Sequence, residues 1–170
     1  MSLSLYQASA PRFANTLKNL STILDKAQAH CEAKKIDPLA LTSFRLFPDM
    51  FPLNRQIQIM TDTAKGAIAR LAGIEIPKYE DTEQTFAELK ARMLKTADFV
   101  MSVPAAKIDG AADKDIAMKA GGKDVVFKGA QYLLGHAYPN FYFHSTTAYN
   151  LLRHNGVEVG KRDFLGTIVL

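Results

Sequence analysis

The histidines are the side chains of this sequence best suited to acid–base or metal chemistry near neutral pH. There are four of them, His30, His136, His144 and His154, and Cys31 is the only cysteine. One cysteine permits neither an intrachain disulfide nor a cysteine-based zinc site. The sequence also lacks the HExxH, phosphate-loop and nucleophile-elbow motifs. The sequence therefore has no strong catalytic signature, and a weaker signal lies on the last predicted helix.

One face of the last predicted helix carries the strongest polar pattern. Asn140, His144, Thr147, Leu151 and His154 recur at alternating steps of four and three residues, which places them on one side of a helix. Because Leu151 is apolar, this side is expected to face the core. The pattern predicts either a small binding site that includes Thr147, or a buried and hydrogen-bonded histidine.

His144 is the candidate catalytic residue and the candidate metal ligand of this stripe. We expect its imidazole to meet the amides of Gln56 and Asn140, where it can act as a general base or as a sole imidazole ligand. The amides would orient substrate or water, and Tyr142 or Tyr149 would line the pocket. The residues leave one alternative open, a neutral core histidine bonded to an amide among ordinary core tyrosines.

Composition and charge limit the classes of protein to which this chain can belong. Of its 170 residues, 48% are apolar and 22% are charged, which is typical of a globular domain. The net charge of +4 is small and the basic residues are scattered, so we do not expect a nucleic-acid partner. No run approaches 18 apolar residues, so no membrane span is expected. With no secretory signal pattern, we expect a cytoplasmic protein with one domain over residues 1–170.

Apolar residues at steps of three and four predict four long helices. The first follows Ser4, which begins a capping-box pattern. Pro11 lies inside this helix, and a proline there removes a backbone donor, so the helix either bends or begins later. The second starts at Pro52, a first-turn proline, and ends at Gly73, which supplies a C-terminal stop.

The third and fourth helices complete the predicted all-α fold, a four-helix bundle. A cap at Thr82 is expected to begin the third helix, with Glu88 and Arg92 paired on its exposed side. The fourth is expected to run over residues 129–155, and Pro139 should kink or break it.

Two connections do not follow helical spacing. Between the third and fourth helices, residues 115–127 alternate around two glycines and predict a β-hairpin with a tight turn. Its expected cross-strand pairs are Lys119 with Asp124, Met118 with Val125, and Ile116 with Phe127. Residues 36–52 form a long connection whose aromatic side chains are expected to pack down and close one end of the bundle. A functional lid is the alternative for this connection.

Several runs of this chain resemble a branch of the DinB-like superfamily that is catalogued only as a domain of unknown function. The C-terminal runs are PNFYFHSTTAY at 139–149, LLRHNGV at 151–157 and GKRDFLG at 160–166. The run FPDMFPL at 47–53, followed by Gln56, resembles the central part of the same branch. Together the runs extend the resemblance over nearly the whole chain.

The resemblance implies a four-helix bundle with an up-down-down-up path that usually forms a homodimer. Metal-bearing members of the superfamily use three histidines, one on the second helix and an HxxxH pair on the fourth. His144 matches the second member of that pair, whereas Asn140 stands at the first and Gln56 stands near the helix-2 position. The implied cofactor is a divalent transition metal, zinc or nickel, and one of its three expected imidazoles is present.

Two classes of function remain open at this point. The resemblance implies a metal-dependent hydrolase or a thiol transferase, because related members include bacillithiol and mycothiol enzymes. The alternative belongs to another class, a non-catalytic protein that binds a small molecule or acts through a dimeric interaction. The residues do not decide whether the chain is an enzyme.

Overall fold

Helices dominate the computed structural model, which describes residues 4–166. In chain order the elements are α1 (Leu5–Lys34), α2 (Pro38–Thr42), α3 (Leu53–Ala72), α4 (Phe86–Ser102), α5 (Ala105–Asp109), β1 (Asp115–Ala120), β2 (Lys123–Lys128), α6 (Gly129–Tyr132), a π-helical turn (Leu133–Ala137), α7 (Tyr138–His154) and α8 (Lys161–Leu165). The predicted helical fold with a small hairpin is therefore confirmed. Within the described residues, none of the helices is both long and apolar enough to cross a bilayer.

α1 runs without a break from Leu5 through Pro11 to Lys34, so the later start considered for this helix is wrong. The hydroxyl of Ser4 caps it by accepting a hydrogen bond from the backbone N–H of Gln7 at 3.2 Å. Pro11 removes the helical donor that the carbonyl of Gln7 would otherwise have. Because Gln7 is an exposed residue, water can hydrate that carbonyl and the helix tolerates the proline.

The core lies where the inward faces of α1, α3, α4 and α7 meet. α1 packs mainly against α4, and α3 packs against both α4 and α7. The most deeply buried large side chains come from all four helices: Phe13, Leu17, Leu53, Ile57, Met60, Leu89 and Phe141. Burial of each such side chain contributes about 1.5–3 kcal/mol. These apolar faces therefore decide how α3 and α7, the two helices of the predicted site, lie against each other.

The hairpin between α5 and α6 has the predicted register. Lys119 pairs with Asp124, Met118 with Val125, and Ile116 with Phe127. Gly121 and Gly122 form the turn with φ angles of 57° and 79°, the left-handed region that glycine adopts without strain. Ile116 is buried and Phe127 packs partly against the core, so the hairpin leans on the helices as a two-stranded ribbon must.

The start of α4 differs from the prediction. The cap is Thr85, whose hydroxyl accepts from the backbone N–H of Glu88 at 3.2 Å, while the Glu88 carboxylate accepts from the backbone N–H of Thr85 at 2.9 Å. This is a complete capping box, and the expected cap at Thr82 is wrong. Thr85 has the Glu88 carboxylate three residues later, whereas Thr82 has only another threonine at that spacing.

The expected surface pair of Glu88 and Arg92 is also wrong, because the Arg92 side chain is only 2% exposed. Its guanidinium donates to the Thr61 hydroxyl at 2.7 Å, to Asp62 at 2.8 Å and to Glu83 at 3.0 Å. We refer to Arg92 with Thr61, Asp62, Asp81 and Glu83 as the Arg92 cluster. The cluster ties the segment between α3 and α4 to both helices.

The predicted fourth helix is divided near its start. The π-helical turn Leu133–Ala137 separates α6 from α7, and the N–H of Tyr138 donates to the carbonyl of Leu133, five residues earlier. Pro139 then lies in the first turn of α7, where a missing N–H costs little. The irregularity therefore comes just before Pro139 rather than at it.

The segment that precedes α3 is less packed than predicted. Phe44 is half-buried and stacks on His154, but Phe47 and Phe51 are exposed, so the expectation that its aromatic residues would close the bundle is wrong for these two. The C-terminal helix α8 packs on α1. The side-chain amide of Asn19 on α1 donates to the carbonyl of Leu165 at 2.9 Å in α8. The final residues, 167–170, lie outside the described part of the chain.

Candidate functional site

His144 and Gln56 form a direct polar pair between α7 and α3. The imidazole Nδ1 of His144 lies 2.7 Å from the side-chain oxygen Oε1 of Gln56. Gln56 is 1% exposed and His144 is 9% exposed, so both residues are almost enclosed by the packed helices. The apolar neighbours Leu53, Ile57 and Met60 turn this face of α3 toward the core and bring the amide with it.

The orientation of the Gln56 amide determines where the imidazole proton lies. Its Nε2 donates to the backbone carbonyl of Phe51 at 3.0 Å, so its oxygen faces His144. An amide oxygen can only accept a hydrogen bond. Nδ1 of His144 therefore carries the proton, and the Nε2 of a neutral imidazole keeps a free lone pair.

His144 is neutral at pH 7. Burial lowers the pKa of its imidazole below the ordinary value of 6.5, and the positive charge of Arg55 lowers it further. The neutral ring is the form that accepts a hydrogen bond or a proton at Nε2. Within residues 4–166, this Nε2 has no hydrogen-bond partner and is not a buried atom.

A cavity of about 340 Å³ opens beside the pair. Its lining consists of Asp49, Met50, Phe51, Gln56, Phe143 and His144. The rings of Phe51 and Phe143 are 53% and 56% exposed, and the Phe143 ring stands edge-on to the imidazole with 5.2 Å between ring centres. The arrangement is an apolar pocket with one uncommitted acceptor nitrogen.

Asn140 and Thr147 do not join the pair, although both lie on the same helix as His144. The amide of Asn140 donates to the carbonyl of His136 at 2.7 Å, and the hydroxyl of Thr147 donates to the carbonyl of Phe143 at 2.7 Å. Both side chains are bonded to a carbonyl four residues earlier, as short polar side chains on helices often are. The predicted contact between Asn140 and the imidazole is therefore absent from the described structure.

Tyr142 and Tyr149 lie away from the pocket, and the expectation that they would line it is wrong. Tyr142 packs against Tyr138 with 5.6 Å between ring centres, and its hydroxyl lies near Thr16 of α1. The ring of Tyr149 packs on Phe164, 5.7 Å away. Steps of two and five residues from His144 lead to the opposite side of an α-helix.

Four residues that line the cavity were not predicted from the sequence: Asp49, Met50, Phe51 and Phe143. The first three directly precede α3 and therefore lie close to the Gln56 turn, a nearness that the short spacing in the chain could have indicated. Phe143 adjoins His144 on α7. Asp49, Met50 and Phe51 belong to the run FPDMFPL and to the connection for which a functional lid was the alternative, but no residue of that connection was predicted to line the site.

The donors around His144 do not fit the three-imidazole metal site that the resemblance implies. His144 supplies one free nitrogen, the Gln56 oxygen already accepts from Nδ1, and carboxamide oxygens bind transition metals weakly. His136 and His154 stack on Tyr132 and Phe44, in other parts of the fold. Residues 4–166 contain no group of three or more histidine, cysteine or carboxylate side chains placed to hold a metal.

Comparisons with known proteins agree with this architecture. The model of a family described as Domain of unknown function (DUF1993) matches residues 5–165. A crystal structure of a DinB family member protein from Shewanella denitrificans superposes with a TM-score of 0.88 and is 44% identical, with 96% of this chain and 93% of that chain covered. No curated protein matches. The comparisons support the DinB-like resemblance and bring no activity with it.

Proposed function

Because this chain belongs to the DinB-like family described as Domain of unknown function (DUF1993), we propose that it binds a small molecule in the pocket beside His144. The observation that carries this proposal is the 2.7 Å bond between Nδ1 of His144 and Oε1 of Gln56. That bond leaves Nε2 free at an apolar cavity, and a few convergent polar groups in an apolar cavity are typical of ligand sites. The ligand contacts are His144, Phe51 and Phe143, with Gln56 holding the imidazole.

Recognition by a hydrogen bond is better supported than proton abstraction as the role of His144. A carboxylate behind a catalytic imidazole stabilises the imidazolium that forms when the ring takes up a proton. Gln56 is neutral and offers no such charge, and Arg55 disfavours the cation. If the protein catalyses a reaction, His144 is the general base, but a weak one.

The binding proposal can be tested by NMR with phenol as the probe. Phenol is expected to shift the resonances of Phe51, Phe143 and His144 in a saturable way, because these side chains line the cavity. Phe143→Ala should weaken phenol binding, since it removes one wall of the cavity. Leu134→Ala is the matched control, because Leu134 is an apolar residue of similar exposure, 61%, on the π-helical turn. Equal effects of the two variants, or shifts spread over the whole surface, would exclude the site.

We also propose that the family's metal site has been replaced by the His144–Gln56 pair. The donor set supports this proposal, since it offers one free imidazole nitrogen. Elemental analysis of protein purified without a histidine tag should give zinc and nickel far below one equivalent, with no change in His144→Ala. Stoichiometric metal that is lost in that variant would overturn the proposal and restore the metal-dependent hydrolase or thiol transferase.

An up-down-down-up path within one domain over residues 1–170 is our proposal for the arrangement of α1, α3, α4 and α7. Four long-range contacts support it: Ser4 with Asp109, Asp25 with Lys90, Gln56 with His144, and Arg70 with Tyr132. The first two imply that α4 is antiparallel to α1, and the last two imply that α3 is antiparallel to α7. The early residues Phe13 and Phe141 are in contact, which supports a parallel α1 and α7.

We further propose a cytoplasmic homodimer, which rests on the family resemblance and on the single reduced cysteine, Cys31. Sedimentation velocity over a hundredfold range of concentration tests the assembly. A dimer should persist at the lowest concentration, and a monomer at every concentration would exclude it. Fractionation of the source cells tests the location.

A further inference from the structure

We infer that the ligand of this pocket is an uncharged aromatic molecule whose hydroxyl group donates a hydrogen bond to Nε2 of His144. The inference rests on the binding site proposed above and adds the chemical class of the ligand. Three properties of the pocket carry it: the direction of its hydrogen bonds, its charge and the nature of its walls.

The donors and acceptors of these hydrogen bonds are fixed because the final acceptor is a backbone carbonyl. The carbonyl of Phe51 accepts from Nε2 of Gln56 at 3.0 Å, and Oε1 of Gln56 accepts from Nδ1 of His144 at 2.7 Å. A carbonyl has no proton to give, so neither bond can be reversed. The atom that faces the cavity, Nε2 of His144, is therefore an acceptor. Ethers, ketones and carboxylates cannot bond to it, whereas a hydroxyl group can.

The charges around the pocket favour a neutral ligand. Among the described residues that line the cavity, Asp49 alone is charged, and its carboxylate repels an anion. The guanidinium of Arg55 is held by Asp81 and by Gln58, at 3.2 Å from the latter, so it is already paired. Its positive charge and the burial that keep a proton off the imidazole also disfavour an ammonium group bonded at Nε2.

The walls of the cavity favour an aromatic ring. Phe51 and Phe143 line the cavity and are each more than half exposed, and the half-buried Met50 completes the apolar lining. An aromatic ligand would cover these rings and gain edge-to-face or offset contacts with them. The volume of about 340 Å³ is at the small end of the range for ligand pockets, roughly 300–1,000 Å³. A single ring system fits this space better than a long chain or a nucleotide.

Three probes of similar size separate these properties. Phenol donates a hydrogen bond, anisole has the same ring but no donor, and benzoate is an anion. We expect phenol to bind about tenfold more tightly than anisole, the ratio for one hydrogen bond of about 1.4 kcal/mol. Benzoate should show no saturable shift of the Phe51, Phe143 and His144 resonances at the same concentration.

Gln56→Glu should reverse this preference. A carboxylate at position 56 still accepts from Nδ1, but it also stabilises the imidazolium, whose Nε2–H is then a donor. Binding of benzoate should appear and phenol should lose its advantage, while the imidazole titrates at higher pH. Asn54→Asp is the matched control. It adds the same charge two residues away on α3, where the Asn54 side chain accepts from the backbone N–H of Arg55, and it should keep the preference for phenol.

The outcomes distinguish the ligand class from the site itself. If none of the three probes shifts the pocket resonances, the proposed binding site fails. If all three bind equally, the site stands and the inferred ligand class is wrong. Should Gln56→Glu not fold, His144→Phe gives the same decision, because it keeps an aromatic ring and removes the acceptor. Phenol and anisole should then bind with equal affinity, and a retained preference for phenol would overturn the inference.

Discussion

The Arg92 cluster and the His144–Gln56 pair are both buried polar groups that contact α3. They differ in whether every nitrogen of the central side chain has a hydrogen-bond partner within the chain. In the Arg92 cluster, each guanidinium nitrogen donates within the chain, to Thr61, Glu83 and Asp62. In the pair, Gln56 bonds the Phe51 carbonyl and Nδ1 of His144, and Nε2 of His144 stays free beside a cavity. The cluster with more charge is saturated and holds the fold together, whereas the sparser pair has an atom left for a ligand.

Replacing the arginine of the saturated cluster should have the largest effect on stability. Arg92→Met leaves Asp62, Asp81 and Glu83 without their shared cation. We expect a loss of about 3 kcal/mol, at the low end for breaking a buried ion pair, because Asp62 and Asp81 keep some contact with water. Urea unfolding at pH 7 measures the loss.

Lys95→Met is the control for the Arg92 variant. The Lys95 ammonium lies 4.4 Å from the centre of the Tyr79 ring, beside the cluster, but the residue is exposed. Its replacement should change the free energy of unfolding by less than about 0.5 kcal/mol. If Arg92→Met costs no more than this control, the cluster does not hold the fold together and the contrast with the pair disappears.

A double-mutant cycle on the open pair should show a smaller effect. His144→Phe removes the donor to Oε1 of Gln56 and should cost about 1 kcal/mol, the low end for an unsatisfied buried acceptor, because water can enter from the cavity. Gln56→Leu leaves Nδ1 of His144 unpaired in the same way. The double variant should lose less than the sum of the two single variants, since both partners are then apolar. Strictly additive losses would show that the bond contributes nothing to stability.

The pair should also make stability depend on pH. Burial and Arg55 lower the pKa of the His144 imidazole in the folded state, so below its ordinary value of 6.5 the unfolded chain binds the proton more readily. The stabilisation that the neutral His144 imidazole gives the folded state is complete above about pH 7. It is lost as the pH falls through the pKa of the folded state. The free energy of unfolding, measured between pH 5 and pH 8, should decrease less steeply toward low pH in His144→Phe than in the unmodified protein.

A second histidine, elsewhere in the fold, must be separated from this effect. His136 has a pKa lowered in the same direction, by burial and by Arg70, so His136→Phe is the matched comparison. Arg55 and Asp49 also lie near His144. An NMR titration of the His144 ring identifies its own pKa, and a value above 6.5 would contradict the prediction.

Patterns within one element predicted this molecule well. Among contacts between distant segments, the sequence predicted that of His144 with Gln56 but not those of Arg92. Alternation around Gly121 and Gly122 was enough for the hairpin register, because cross-strand pairs follow from the turn. Arg92 looked like a surface residue, because its partners come from α3 and from the following segment. Helical spacing indicated that His144 faces inward. It could not indicate that Asn140 bonds its own helix, or that the exposed rings of Phe51 and Phe143 would form the rim of the pocket.

A substitution at the rim of the pocket should change stability least and should separate binding from folding most clearly. Phe51→Ala removes a ring that is 53% exposed but keeps the backbone carbonyl that orients Gln56. The free energy of unfolding should change by less than about 0.5 kcal/mol, while phenol binding weakens because one aromatic wall is gone. By contrast, Phe13→Ala in the closed core should cost about 3–5 kcal/mol. If Phe51→Ala destabilises the fold by several times the expected amount, that ring is part of the core packing. The pocket would then be a feature of the packing and not a ligand site.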